Sequence, residues 1–247
     1  MRRFLLSQLG FLLAATSALA DPGQVLSSFL APAALPEGVA FDGTSLYVSA
    51  WRTRLIYRLD AQSGAVLESF PFPSLYPRDL AWDGAGFWAV SGAPREPTTL
   101  YHLDARLRPR ASFVLAGLAL GFGCAWDGQS VWVSDWAGNR LHRVNPLSGR
   151  IERSLPSPGP NPSGLAYDGR RLWVACMGDD RIVQVDPMTG APERSFAAPA
   201  QNPTGLACAG GNLWSLDSLE GRVYLLKGTG PTNVEGTTWG SIKAAFR

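Results

Sequence analysis

Short apolar runs and polar turns alternate along this chain with a regular period. Within the repeats each run is a few residues long and rich in branched and aromatic side chains, and none has the spacing of an amphipathic helix. One segment, Gly-Leu-Ala-Tyr-Asp-Gly at 164–169, recurs five times in related forms. Its aspartate column is spaced by 41, 44, 41 and 41 residues, at Asp42, Asp83, Asp127, Asp168 and Ala209. A period of this length indicates copies of one structural unit that pack against each other.

Each copy contains four strand-like runs. The second run carries an aromatic residue at a fixed place: Tyr47, Trp88, Trp132, Trp173 and Trp214. Asp-Gly and Ser-Gly or Thr-Gly turns join the runs, and such turns close antiparallel hairpins because they adopt positive φ at little cost. Four strands in about 41 residues are typical of a β-propeller blade. We therefore predict an all-β, five-bladed propeller of four-stranded antiparallel blades, with the aromatic column packed between blades.

The two ends of the repeat region complement each other. The fifth copy stops after its third strand, which we place at Val223 to Lys227. The segment 23–29, before the first copy, matches the fourth-strand pattern at 64–70. We predict that this N-terminal strand completes the last blade, because pairing the chain ends leaves no open seam in the ring.

The termini differ from the repeats. Residues 1–20 have a basic start, an apolar stretch and the small-residue pattern Ala18-Leu19-Ala20, which predicts a signal peptide rather than a membrane helix. The domains are then the signal peptide 1–20, the propeller 21–230 and a tail 231–247 with a short amphipathic helix. The tail either docks on the propeller or directs export. We expect a secreted, periplasmic or cell-surface protein of a bacterium.

The composition of the chain argues against several classes of function. The net charge is +2 and the basic residues are scattered, which argues against a nucleic-acid partner. The chain has 247 residues, and no segment after the signal peptide is apolar for long enough to span a membrane. Three cysteines do not make a disulfide framework, and we expect none to be bridged. We expect a monomer.

One repeat carries a family resemblance. The run at 162–169, Leu172-Trp173-Val174 and the run at 181–190 resemble the secreted and bacterial propellers with NHL, YVTN-type and glutaminyl-cyclotransferase-like repeats. The resemblance implies the fold and leaves the function open, since these residues form turns and blade contacts. Glutaminyl cyclotransferases of the plant type are similar in having five blades and place a catalytic glutamate in an early strand. The matching run here, at 46–51, contains no acid.

Candidate ligand-binding residues are those that break the repeat pattern near the loops between second and third strands. They are Trp51, Arg78, Asp79, Arg95, Asp135, Trp136, Asp179 and Asp217. Acids, arginines and aromatic rings at one end of the axis predict a site for a small polar ligand, a glycan, or a peptide or protein.

Three functions remain open from the sequence. We favour a non-catalytic binding scaffold, because the two histidines, His102 and His142, lie in mid-strand and no nucleophile and base come together. No catalytic or metal-binding residue is assigned and no cofactor is expected, although a calcium ion held by aspartates is an option. The alternative is a cyclotransferase, lactonase or lyase that uses Asp79, Asp135 or Asp217 as acid or base. The third function is a surface-attached module.

Overall fold

The computed structural model describes residues 21–228, which form twenty strands in five four-stranded antiparallel sheets. The first two blades contain β2 Pro36–Phe41, β3 Ser45–Ala50, β4 Leu55–Asp60 and β5 Val66–Pro71, then β6 Pro77–Trp82, β7 Gly86–Ser91, β8 Thr99–Asp104 and β9 Pro109–Val114. The next two contain β10 Gly121–Trp126, β11 Val131–Asp135, β12 Arg140–Val144 and β13 Ile151–Pro156, then β14 Pro162–Tyr167, β15 Leu172–Cys176, β16 Arg181–Val185 and β17 Pro192–Ala197. The fifth contains β18 Pro203–Ala209, β19 Asn212–Asp217, β20 Arg222–Leu226 and, as its outer strand, β1 Val25–Leu30.

The predicted closure of the ring is confirmed. β1 pairs antiparallel with β20, with Phe29 opposite Val223 and Leu30 opposite Arg222. The inner strands β2, β6, β10, β14 and β18 contact each other in sequence, and β18 contacts β2. The described residues therefore form a five-bladed β-propeller whose last blade is built from both ends of the chain.

In the first, third and fourth blades the aspartate of the Asp-Gly turn binds the aromatic residue of the second strand, whereas Asp83 in the second blade binds His102. In the third blade, Asp127 accepts the backbone N–H of Ser130 at 2.7 Å and the indole N–H of Trp132 at 3.0 Å. Asp42 binds the Tyr47 hydroxyl in the same way, and Asp168 binds the indole of Trp173. These aromatic residues are buried between blades, which confirms the predicted packing role of the column.

The axis of the ring is narrow because the inner strands carry glycine where they approach each other. A methyl group on Gly164 would lie 2.6 Å from the backbone nitrogen of Leu206, and one on Gly205 would lie 2.7 Å from that of Val39. Only a residue without Cβ allows the neighbouring strand to come so close. In the second blade this column holds Asp79 instead of glycine.

Two further predictions are affected by the range that the structure covers. The predicted signal peptide, 1–20, and the predicted tail, 231–247, lie outside the described residues. Within the described part of the chain, no helix could cross a membrane. All three cysteines are free, as expected.

Candidate functional site

A cavity of about 310 Å³ opens on the face of the ring where the inner strands begin. Residues from the starts of β2, β6, β10 and β18 form its floor, and loops after the second strands form its walls. The lining residues are Glu37, Arg78, Pro94, Leu120, Phe122, Trp136, Met177, Asn202, Thr204 and Ser218. One opposite-charge pair thus lies among aromatic, aliphatic and neutral polar groups, which is the usual composition of a small-molecule site.

Two aromatic rings and a backbone carbonyl hold the guanidinium of Arg78 in this cavity. The guanidinium carbon lies 4.3 Å from the ring centre of Trp51 and 4.5 Å from that of Phe122. Its Nε donates to the carbonyl of Gly92 at 2.9 Å. Stacking of this kind is strongest where water is excluded, and the residue is only 9% exposed. Arg78 is therefore a fixed cation at the floor of the cavity.

Glu37 is the partner of Arg78 from the neighbouring blade. Its Oε2 lies 3.3 Å from a terminal nitrogen of Arg78, and the residue is buried. Burial raises the pKa of Glu37 to about 7, although the charge of Arg78 and a hydrogen bond from it act in the opposite direction. A carboxyl group with this pKa exchanges its proton near neutral pH.

Asp79 lies on the axis of the ring, below the cavity. Its Oδ1 accepts the backbone N–H of Val39 at 3.1 Å, and its Oδ2 accepts that of Cys124 at 3.1 Å. The side chain is fully buried, which raises its pKa, while these bonds and those from the N–H groups of Leu80 and Leu165 lower it. The carboxylate thus occupies the space that the glycine column leaves and joins several blades through their backbones.

Asp135 holds a loop and does not line the cavity. It accepts backbone N–H groups from Ala119, Leu120 and Gly138 at 2.9 to 3.0 Å. Burial would raise the pKa of Asp135, but nearby His142 and these three donors hold it well below its usual range. The carboxylate is thus committed to the loop and is a weak base.

Asp217 does the same in the fifth blade. It accepts the N–H groups of Asn202 and Glu220, each at 2.7 Å, and is buried. It likewise does not appear among the cavity-lining residues. The first of these bonds positions Asn202, which does line the cavity. Asp217 therefore acts on the cavity only through Asn202.

The remaining predicted site residues are divided between the cavity and the surface. Trp136 lines the cavity, and its indole N–H is buried without a hydrogen-bond partner in the described part of the chain. Trp51 stacks on Arg78 and lies 5.6 Å from Tyr76, ring centre to ring centre. Arg95 and Asp179 are exposed and sit next to the lining residues of their loops rather than among them.

Two central residues were missed by the sequence reasoning. Glu37 and Phe122 occupy the column just before the glycine column, together with Arg78, Ser163 and Thr204. In the repeat alignment, this column holds an acid in the first blade and an arginine in the second, which is a sequence signal for an ion pair. Reading that column as a ring around the axis would have paired Glu37 with Arg78.

The described residues offer little to a metal ion. No group of three or more His, Cys, Asp or Glu side chains within 21–228 comes together as a metal site. The axis, which was considered for calcium, presents N–H donors around Asp79, and these donors suit an anion rather than a cation.

Comparisons with known proteins support the fold. No protein-family model matches the sequence, and no curated protein sequence matches it significantly. The glutaminyl cyclase of Myxococcus xanthus is similar in structure, with a TM-score of 0.70 and 14% identity over 84% of this chain and 98% of that one. A luciferin-regenerating enzyme has a TM-score of 0.58 and 15% identity over 79% and 92% of the two chains. A chain of the nidogen/laminin complex has a TM-score of 0.56 and 19% identity over 75% and 73%.

At these identities the likenesses establish the fold alone. The chain is a five-bladed β-propeller, and its structural neighbours include glutaminyl cyclase-like and NHL-like propellers, in agreement with the resemblance in the repeats. Several of these neighbours are enzymes, so the fold is compatible both with a binding module and with a catalyst.

Proposed function

We propose that this chain is an exported, non-catalytic β-propeller that binds a small polar ligand in the cavity above the axis. The observation that carries the proposal is the guanidinium of Arg78, packed against Trp51 and Phe122 and directed at a cavity of about 310 Å³. A preorganised charged group in a largely apolar, concave site binds a ligand with little loss of side-chain entropy.

The walls of the cavity suggest what the ligand looks like. Trp136, Leu120 and Met177 offer apolar contact to a ring or short carbon chain. Asn202, Thr204 and Ser218, all from the fifth blade, offer neutral hydrogen-bonding groups. A compact molecule with an apolar body and a polar end fits this division. A glycan end or a peptide end is a further option that the same experiment distinguishes.

The binding proposal is tested with a library of small polar compounds, oligosaccharides and short peptides, screened by ligand-observed NMR. A compound that binds the wild type should lose at least tenfold in affinity in Trp136→Ala, because that change removes one wall. Trp82→Ala is the matched control, since Trp82 is also a partly buried tryptophan but faces the opposite mouth of the ring. Equal affinity in wild type and Trp136→Ala would reject this cavity as the site.

A second candidate function rests on Glu37. A buried carboxyl with a pKa of about 7 is suited to act as a general acid or base, and an enzyme of the cyclotransferase, lactonase or lyase type is the alternative that the sequence left open. Its support is that a glutaminyl cyclase is among the structures with this fold.

The alternative is tested by measuring ammonia release from glutaminyl peptides and ring opening of lactones. If the protein is such an enzyme, Glu37→Gln abolishes turnover and keeps the fold. Asp135→Asn and Asp217→Asn should instead lower the melting temperature, because both carboxylates hold loops through backbone N–H groups. Turnover that survives in Glu37→Gln would exclude this glutamate as the acid or base.

A further inference from the structure

The guanidinium of Arg78 has unused hydrogen-bonding capacity. Arginine carries five N–H donors. The Nε–H is bound to the carbonyl of Gly92, and one terminal nitrogen faces Glu37. Two aromatic rings lie against the guanidinium, and its terminal nitrogens remain as the groups that can donate to a ligand. Within residues 21–228 the second terminal nitrogen has no protein partner, and the edge it forms with the first matches the fork of a carboxylate.

The pair with Glu37 is weaker than a fork-to-fork ion pair. The contact between the two side chains measures 3.3 Å, which is longer than a typical charge-assisted hydrogen bond. Burial penalises the ionised form of Glu37, which keeps its pKa near neutral pH despite the arginine. The pair therefore exchanges between an ion pair and a guanidinium beside a neutral carboxylic acid as the pH passes through about 7.

Arg78 is the one charged group that faces Glu37 from the strands packed against β2. These strands are β3, β6, β18 and β19. β3 contributes Ser49, whose hydroxyl accepts the N–H of Gly38, and β18 contributes Thr204. The carboxylates on β6 and β19, Asp79 and Asp217, are already bound by backbone N–H groups. The proton affinity of Glu37 thus depends on Arg78, on burial and on whatever enters the cavity.

We propose that the ligand of this cavity is a small organic carboxylate, and that Glu37 takes up one proton from solvent when the carboxylate binds to Arg78. The ligand oxygens accept N–H groups from the free edge of Arg78. The protonated Glu37 then donates its O–H to the ligand instead of repelling it. This inference rests on the proposed binding function and specifies the chemical class of the ligand.

The rest of the cavity agrees with a carboxylate that carries a single ring or a short branched chain. Leu120, Phe122 and Met177 line the same cavity as the arginine. The ring of Trp136 lines the same cavity and adds a further apolar wall. An amine is disfavoured because the fixed guanidinium would repel it.

The test uses pairs of probes that differ only in charge: acetate and acetamide, benzoate and benzamide, indole-3-acetate and indole-3-acetamide. Binding to the purified protein is measured by calorimetry at pH 6, 7 and 8, in buffers of different ionisation enthalpy. At least one carboxylate should bind tighter than its amide. Its affinity should fall roughly tenfold from pH 6 to pH 8, with about half a proton taken up at pH 7, as expected for a group with a pKa near 7.

Variants separate this proton from any other. In Glu37→Gln the amide donates permanently, so carboxylate binding should persist and become independent of pH. Glu68→Gln is the matched control, because Glu68 lies in the same blade and pairs with Arg58 on the exposed outer edge. It should bind like the wild type.

Each result is decisive. Carboxylate binding without proton uptake, or amides that bind better than their carboxylates, would overturn the inference and leave the binding function standing. If no probe binds while another compound class from the library does, the inference also fails and the cavity remains a binding site. If neither the probes nor the library bind, both proposals fall.

Discussion

The carboxylate of Asp79 joins several blades at the axis, and its removal is the sharpest test of how the ring is held together. In Asp79→Ala, the N–H groups of Val39 and Cys124 lose their acceptor inside the protein. A buried donor without a partner costs about 1–3 kcal/mol, so the two together cost roughly 2–6 kcal/mol. The mutation also removes a carboxyl group whose burial is unfavourable, which offsets part of that cost. We expect a net loss of about 2–3 kcal/mol.

The assay is urea unfolding together with thermal melting. For a domain of this size, 1 kcal/mol shifts the melting temperature by roughly 2–4 °C, so Asp79→Ala should melt about 4–12 °C below the wild type. Asp79→Asn should lose about half as much stability. The carbonyl oxygen of the amide still accepts one backbone N–H group, but its NH₂ group faces the other N–H group, and two donors cannot bond. The control is Asp179→Ala, which changes an exposed aspartate and should leave the melting temperature within about 1 °C.

An added anion provides a second readout. Asp79→Ala leaves a space ringed by backbone N–H groups, and formate has the size and charge to fill it. Formate should therefore raise the melting temperature of Asp79→Ala more than that of the wild type. An Asp79→Ala protein as stable as the wild type, with no response to formate, would refute the view that this carboxylate joins the blades.

Three further predictions concern closure, packing and protonation. Deletion of 24–29 removes most of β1 and should lower the melting temperature of the whole domain, because the edge of β20 is then exposed; unchanged melting would contradict the closure. Gly164→Ala should destabilise by about 1–3 kcal/mol or more, measured by urea unfolding, since its methyl meets backbone of the next blade; Gly169→Ala, with open space around it, is the control and carries only the strain of its positive φ. Glu37 has a raised pKa in the folded state, so the stability that its proton provides is present below about pH 4.5 and is lost as the pH rises to about 7. Wild type should therefore lose stability relative to Glu37→Gln across that range, by up to about 3 kcal/mol, and parallel melting curves would contradict the raised pKa.

The architecture could be predicted because short local sequence patterns encode each blade and recur in every repeat. The Asp-Gly turns, the alternating runs and the fixed aromatic positions recur with one period, and each encodes its own hairpin. The strand at 25–30 could be assigned to the last blade because its pattern completes the only repeat that lacks a fourth strand. Repeated signals of this kind support each other, so a weak fifth copy at 205–210 did not change the count.

The site could be predicted only in part. Arg78, Trp136 and Trp51 broke the repeat pattern, and the structure places them in or beside the cavity. Asp135 and Asp217 broke it as well, but they serve to fold loops, since an aspartate that caps backbone N–H groups is indistinguishable in sequence from one that faces a ligand.

The sequence alone determined the number of blades, the strands within each blade and the way the ring closes, because these depend on short-range patterns and on hydrophobic burial between identical units. Tertiary structure alone decided that Glu37 meets Arg78, that two aromatic rings lie against the arginine, and that Asp79 fills the axis. These contacts join residues 27 to 44 positions apart in the chain across blade boundaries. Their distances depend on how closely the glycine column lets the inner strands approach, and only the assembled ring sets that approach.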